Sequence, residues 1–592
     1  MKNRRKLLTI LVLAGLTSLG PIVMPVQAEE TITDTKDTTF DSKTRALSAT
    51  KVYVDNNKDS ASGNTMTITN SVIYGAVAGS TIDADTLSKH IDDPNHKGRI
   101  ISAPITDPTT AETVSAGPTG AVTGNTLILN DQDIGNGQSI GWLAGGLAMT
   151  QDVNQNTVEV NWPTSSGEVY NASGVQYDAI GGFTLTGDAT DNTVTLTGVT
   201  EFGDPYSDHF VSNLYGGYSY TGTVSGNAVN IEGATFYDTV YGGAQGTLNN
   251  QFNLPQSMNG YFSDYANGLS FTSTGDVKNN SVTISGGGYD MRRGPGSTVY
   301  GGLIGAKISA DENATTFGNV HDNTVTISGT GMANDVYGGA FITYLDDENT
   351  DTLQIGAVTN NHVDILDGGY GHVVAGGYYA IAGTTDADLE YNSVTVNKGI
   401  VGKNLYGAYL NKVGEYTGTG TVANNSVLMT NGTMDADNYA STVQVYGGYA
   451  DGGEGDNVTV RDNTTTIQQS TIGANYEYHQ VEIGGGHSDY FNTEHNSLTL
   501  SDSNVYAYSS VYDNAYIVLS GGDGWNDNNN QPSKGSVVNN TANITNNLIQ
   551  TTGGENEDSD LTIILAGGLN GEYGGPWTGI KDYNGPVNSD QY

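Results

Sequence analysis

The densest set of acid groups, Asp346-Asp347-Glu348-Asn349-Thr350-Asp351, is where acid–base chemistry would be sought first. Paired carboxylates divide proton donation and proton removal between two groups, as in glycoside hydrolysis. That work needs the two groups held on separate elements across a substrate, whereas these residues are consecutive. A run of acids reads as a solvated loop. Gly452-Gly-Glu-Gly-Asp-Asn457 approaches a calcium-binding nonapeptide, but it occurs once and ends in Asn457. Asp55, Asn57 and Asp59 open like a calcium loop, yet Met66 stands where a bidentate glutamate is needed. Gly137-Gln-Ser139-Ile-Gly141 has the form of a nucleophile elbow, but a glycine pair follows where a helix should begin. Cysteine is absent, and the nine histidines show no zinc-ligand spacing; His372 and His487 sit beside glycine bends. The expectation is therefore no catalytic residue, no metal site and no cofactor, with diffuse attraction of calcium to the acidic surface as the one ionic interaction.

The first 28 residues set the compartment. Lys2, Arg4, Arg5 and Lys6 precede an uncharged apolar run from Leu7 to Leu19, and Val26-Gln27-Ala28 supplies small residues for cleavage. This reads as a secretory signal, with an apolar run too short for a membrane span. Removing it leaves 18 basic residues against 64 acids, a formal charge of 18 − 64 = −46. So acidic a surface repels nucleic acid and anionic lipid.

What would position any functional residue is a repeat built from two alternating elements. One begins with asparagine: Asn125, Asn156, Asn192, Asn227, Asn280, Asn323, Asn361 and Asn392 each open a segment such as Asn280-Ser-Val-Thr-Ile284. Weaker copies start at Asn425, Asn463, Asn496 and Asn540, with an outlying one at Asn64. The other is an apolar residue, usually tyrosine, then two glycines, ending at Gly217, Gly243, Gly302 and Gly339 in the clearest copies. Successive asparagines lie 31 to 53 residues apart. Fixed order with elastic spacing is the mark of a solenoid whose loops vary between regular rungs.

Side-chain parity makes the asparagine segments strands. Val282 and Ile284 face one way, Ser281 and Thr283 the other. Each repeat should lay down at least two short strands with bends between them, and stacking should pair each with its counterpart in the next rung. About thirteen rungs at ~4.8 Å give a rod about 60 Å long. The asparagine has two structural explanations: a left-handed turn residue, or a ladder of amides bonded from rung to rung. Glycine pairs should mark bends with positive φ or close backbone approach, and the tyrosines ahead of them should stack on their equivalents.

Alternating Asn-Ser/Thr-Val-Thr-Ile and Val-Tyr-Gly-Gly units behind a signal peptide resemble the passenger repeats of autotransporter-type surface proteins of Gram-negative bacteria. The resemblance covers about residues 121–568. It implies an all-β, right-handed parallel β-helix, or β-solenoid, of about 12–13 irregular rungs, displayed at the cell surface or secreted as an adhesin or structural scaffold. The partners implied are surface molecules or glycans of host or neighbouring cells. In that family a C-terminal β-barrel anchors the passenger in the outer membrane. Here 24 residues follow Gly568, too few for a barrel, so the expectation is a fragment or a passenger served by a separate translocator. The Gly-Asp-Ser-Gly motif of the family's serine proteases is absent. β-Helices also host polysaccharide lyases and hydrolases, the alternative function. In polygalacturonase-like enzymes the Asn-Thr-Asp and Asp-Asp pieces lie on different rungs in the opposite order, before a basic motif; here they share one loop and no Arg-Ile-Lys follows. An ice-binding face is the third alternative, suggested by Thr195-Leu-Thr197 and disfavoured by elastic spacing.

The chain then divides into a signal at 1–28, a flexible lead-in at 29–50, and an N-terminal cap with one poor repeat at 51–120. The solenoid spans 121–568 and an irregular tail 569–592. From the second glycine to the next asparagine the tightest repeats take 10 residues. Gly243 to Asn280 takes 37, Gly302 to Asn323 takes 21, and Gly339 to Asn361 takes 22, excesses of 27, 11 and 12. Insertions at one point of successive rungs should emerge on one face. Their aromatics, Phe252, Tyr261, Phe262, Tyr265, Phe271, Phe317, Phe341 and Tyr344, beside Asp346 and Asp347, form the candidate binding patch.

Overall fold

A computed structural model describes residues 29–33, 61–63, 65–69 and 75–81, and most of 121–590. Within the latter range it omits 131–138, 149, 162–172, 199–208, 237–238, 247–273, 290–296, 309–315, 346–354, 384–386, 417–418, 435–441, 452–456, 474–479, 490–491, 509–514, 526–535, 553–560, 572–579 and 584–586. The described residues contain no helix. They form a right-handed parallel β-solenoid of three long sheets.

Sheet A has 15 strands in sequence order, each asparagine segment supplying one, such as Ser281–Ser285 between Ala228–Glu232 and Thr324–Ser328. Val282 and Ile284 are buried while Ser281, Thr283 and Ser285 are not, as the parity requires. Each such pair contributes roughly 3–6 kcal/mol gross by leaving water. Sheet C carries the long strands that hold the glycine pairs, such as Thr298–Ile308 and Met332–Leu345. A third sheet was not anticipated. Sheet B has 13 strands, most only two residues long, such as Val277–Lys278 and Val320–His321, lying just ahead of each asparagine. Its 13 strands match the expected rung number.

Between sheets B and A the chain turns through one left-handed residue. That residue precedes the asparagine: Gln155, Asp191, Asn279, Asp322 and Asn360 have φ between 54° and 57°. The turn explanation for the recurrent asparagine is thereby corrected, since no ladder asparagine has positive φ. The amides bond from rung to rung instead. Asn280 Nδ2 donates to Asn323 Oδ1 at 2.9 Å, and Asn323 Nδ2 to Asn361 Oδ1 at 2.9 Å. The Asn280 backbone N–H also donates to Asn323 Oδ1, and Asn323 Nδ2 also donates to the Val277 carbonyl. The pattern runs from Asn125 through Asn192, Asn227, Asn392 and Asn425 to Asn540 with every amide buried. Each carboxamide has two donors and one oxygen with two lone pairs, and from Asn156 to Asn496 all four are used.

The glycine pairs are not bends either. Gly217, Gly243, Gly302 and Gly339 lie inside strands without positive φ, because a side chain there would strike the ladder. A Cβ on Gly302 would fall 2.5 Å from Asn323 Cγ, and one on Gly339 would fall 2.3 Å from Asn361 Cγ. The two sequence elements are thus opposite walls of one constriction. It divides the interior into two apolar columns: Val282, Ile284 and Val299 between sheets A and C, and Val277, Val320, Ile304 and Phe341 between sheets B and C.

Both termini depart from expectation. Glu29–Thr33, assigned to the lead-in, pairs with Thr65–Thr69 in sheet A. Within the tail, Ile580–Tyr583 pairs antiparallel with Leu561–Gly571, and Val587–Asp590 adds to sheet A beside Thr541–Thr545. The signal segment lies outside the described residues.

Candidate functional site

The insertions do share one connection. They leave sheet C after Gly246, Ile308 and Leu345 and return at sheet B with Val277, Val320 and Val358. The patch assigned to them does not hold as a unit. Phe341 is fully buried and Phe317 is 5 % exposed; they meet edge to face at 5.6 Å in the column between sheets B and C. Strand parity puts Phe341 inward, one position past Ala340, and Phe317 fills the rung beneath it. Both are core residues. Tyr344 is the penultimate residue of the strand Met332–Leu345, and Phe252, Tyr261, Phe262, Tyr265, Phe271, Asp346 and Asp347 lie outside the described residues.

The outward face of sheet C carries a separate aromatic cluster. Register places Tyr215, Tyr241, Tyr300 and Tyr337 in one column. Their rings stack at 4.6, 5.5 and 5.3 Å. The next member is Ala375, and there Tyr378 of the neighbouring column takes over, stacking on Tyr337 at 4.5 Å. That second column continues through Tyr409 and Tyr449 to His487 and Asp523. Burial raises the hydroxyl pKa of Tyr215, Tyr337 and Tyr406 far above the ordinary tyrosine range.

At its C-terminal end the aromatic face becomes a polar cluster spread over three adjoining strands, Thr442–Ala450, Gln480–Ser488 and Ala515–Trp525. His487 Nδ1 bonds Asp523, and its Nε2 lies 3.0 Å from Asp489 Oδ1. The Tyr446 hydroxyl reaches Glu482 Oε2 and Asp523 Oδ2, each at 3.4 Å. Ser520 Oγ donates to Asp523 at 2.6 Å, and Gln444 Nε2 to Glu482 at 3.0 Å. Gly484 makes room for this arrangement, since a Cβ there would stand 2.5 Å from Tyr446 Cε1. Burial pushes the Glu482 carboxyl up. Burial alone would lower His487, but the Asp523 and Asp489 carboxylates outweigh it and hold the imidazolium well above the ordinary range.

Chemically this is a proton-holding cluster: one imidazolium locked between two carboxylates, beside a carboxyl that burial inclines to keep its proton. Glu482, His487 and Asp523 are 8 %, 6 % and 2 % exposed, so a sugar ring does not reach them in this arrangement. Ser520 is bonded to Asp523 and not to the imidazole, so it is no activated nucleophile. Sequence reading passed over the cluster because its members come from different rungs. Aligning rungs on their glycine pairs would have found it, because His487 then falls in the column of Tyr409 and Tyr449.

Among the described residues no group of three or more histidines and acids is placed to hold a metal, and no helix is long and apolar enough to cross a membrane. The chain matches no protein-family model and no curated protein.

Proposed function

We propose that the chain is an exported passenger of autotransporter type, an adhesin or structural scaffold of the cell surface that recognises surface molecules or glycans. The observation that carries this reading is the separation of support from variation. From Asn125 to Asn540 the rungs are joined by one asparagine ladder, packed against glycine at most positions, while the longest spacer, from Gly246 to Val277, falls at the connection between sheets C and B. A rigid rod with variable loops along one edge is suited to display. A charge of −42 on the full chain keeps neighbouring copies apart. The test replaces residues 247–273 with a short Gly/Asn turn and compares host-cell and glycan-array binding with the intact rod. Loss of binding with an unchanged far-UV spectrum supports the reading; undiminished binding removes this edge as the recognition surface.

The second reading, a polysaccharide-degrading enzyme, draws on the β-solenoid fold alone, since Glu482 and Asp523 are buried out of reach of a sugar ring. Incubation with pectic and other uronate polysaccharides decides it. New reducing ends or unsaturated uronates that vanish in an Asp347→Asn, Asp351→Asn double variant would favour the enzyme.

A further inference from the structure

Sheet A repeats so regularly that its exceptions stand out. From Thr126 to Thr541 its first outward column holds threonine, serine or alanine, except at His362. Two residues on, Asp364 lies between Thr326 and Thr395 of the neighbouring rungs, in a column that also holds Glu159, Asn230 and Leu428. On a repeated scaffold, what every rung shares is structural, and the departure at His362 needs another reason.

The departure meets a serine. His362 lies directly opposite Ser393 in register, with Nδ1 2.7 Å from Ser393 Oγ and Nε2 2.8 Å from Asp364 Oδ1. A carboxylate only accepts, so Nε2 carries the proton toward Asp364; the neutral ring then offers the Nδ1 lone pair to the serine hydroxyl. The imidazole is oriented by one partner and aimed at the other, the arrangement that activates a weak nucleophile. The His362 and Asp364 side chains are each 30 % exposed, so a reagent in solution reaches them. Tyr391, two residues before Ser393, is 56 % exposed and holds φ at 58°, a strained conformation for an aromatic residue.

We propose that Ser393, His362 and Asp364 form a nucleophilic relay on the outward face of sheet A that accepts acyl groups from activated esters. Ser393 Oγ attacks the ester carbonyl carbon as its proton passes to His362 Nδ1. The C–O bond to the leaving group breaks, the leaving alkoxide or phenolate takes the proton, and an acyl-serine remains. Water, deprotonated by the same nitrogen, then releases the acid and restores the hydroxyl. Asp364 is the positioning residue. Backbone N–H groups do not assist: that of Ser393 donates to Asn361 O and that of Ser426 to Asn392 O. Without such donors an acyl transfer forgoes a factor of about 10²–10³, which confines the relay to esters with good leaving groups, aryl esters first. This relay is independent of the display role proposed above.

The experiment treats the full chain with 4-nitrophenyl acetate at pH 8 and maps acetyl groups by peptide mass spectrometry. Ser281 and Ser426, on the same column, serve as internal controls. Ser393 is expected to acetylate about 10²-fold faster than either control, the usual size of a general-base contribution. His362→Gln should bring it to the control rate, and Asp364→Asn should slow it roughly tenfold while shifting the pH profile of acylation. Far-UV spectra check that each variant keeps the rod. Labelling of Ser393 at the control rate overturns the proposal. So does an unchanged rate in His362→Gln, or acetyl found on His362 with none on Ser393.

Discussion

Gly302 and Asn323 offer a test of the constriction in which the sign of one substitution depends on the other. A Cβ on Gly302 would stand 2.5 Å from Asn323 Cγ and 2.6 Å from its Nδ2, about 1 Å inside normal contact. The rung of Asn425 carries Ala408 at the equivalent position with its ladder bonds kept, so the cost at Gly302 is that of shifting the Asn323 carboxamide. It accepts from Asn280 N at 3.0 Å and Asn280 Nδ2 at 2.9 Å, and donates to Val277 O at 3.0 Å and Asn361 Oδ1 at 2.9 Å. At ~1 kcal/mol net for each bond, displacing it costs up to about 4 kcal/mol. Gly302→Ala should therefore destabilise by about 2–4 kcal/mol, and Asn323→Ala by about 4 kcal/mol. With the carboxamide already gone, the new methyl occupies the space it left. Gly302 lies in a strand without positive φ, so alanine there is otherwise compatible and should gain up to about 1 kcal/mol from a less flexible unfolded chain. The cycle then predicts a coupling of about 3 kcal/mol. Native-state hydrogen exchange over 277–284 and 320–328 reads it locally, as a stacked rod requires. Additivity within about 0.5 kcal/mol would refute the reasoning.

Parity on sheet A gives a second test. Val282→Asp buries a charge in the column between sheets A and C and should cost several kcal/mol, about 4, whereas Thr283→Asp should cost under about 1; equal losses in urea unfolding would show the faces assigned wrongly. pH gives a third. Burial raises Asp335 to about 6 and raises Glu482, and the carboxylates around His487 raise it against the effect of burial. Raised carboxyls weaken the fold once pH passes their unfolded values near 4, and the support from His487 is full below about 6.5 and fades as pH climbs through its folded value. All three take up protons on folding, so the melting temperature should fall from pH 5.5 to pH 8.5. Glu482→Gln and Asp335→Asn should each flatten that slope, and a rise over the interval would contradict the assignment.

Much of the architecture is legible in short range. Alternation in Asn280-Ser-Val-Thr-Ile284 gives the strand and its inward face, because period two needs only five residues to show. Sheet B escaped notice because Val277–Lys278 and Val320–His321 are too short to display any period. The role of the glycine pairs depends on a partner 10 to 37 residues downstream in sequence, and glycine alone does not distinguish a positive φ from a close approach. Phe317 and Phe341 were misassigned because an aromatic in a long spacer reads as a loop residue until the strand Met332–Leu345 is seen to run six residues past its glycine pair. The clusters at His487 and His362 unite residues from different rungs, and only register brings them together.

The asparagine column also has a direction. Each amide donates toward the C-terminal rung, through both its backbone N–H and its Nδ2, and accepts from the N-terminal one. A partly wound rod is therefore chemically unlike at its two ends: wound from the N-terminus it presents N–H groups, wound from the C-terminus it presents carbonyl oxygen. The next rung is selected by what it offers to that growing front. An acceptor-only side chain of the same shape takes both bonds from the rung before it but passes only its backbone N–H onward, so one aspartate at a ladder position would weaken winding unequally in the two directions.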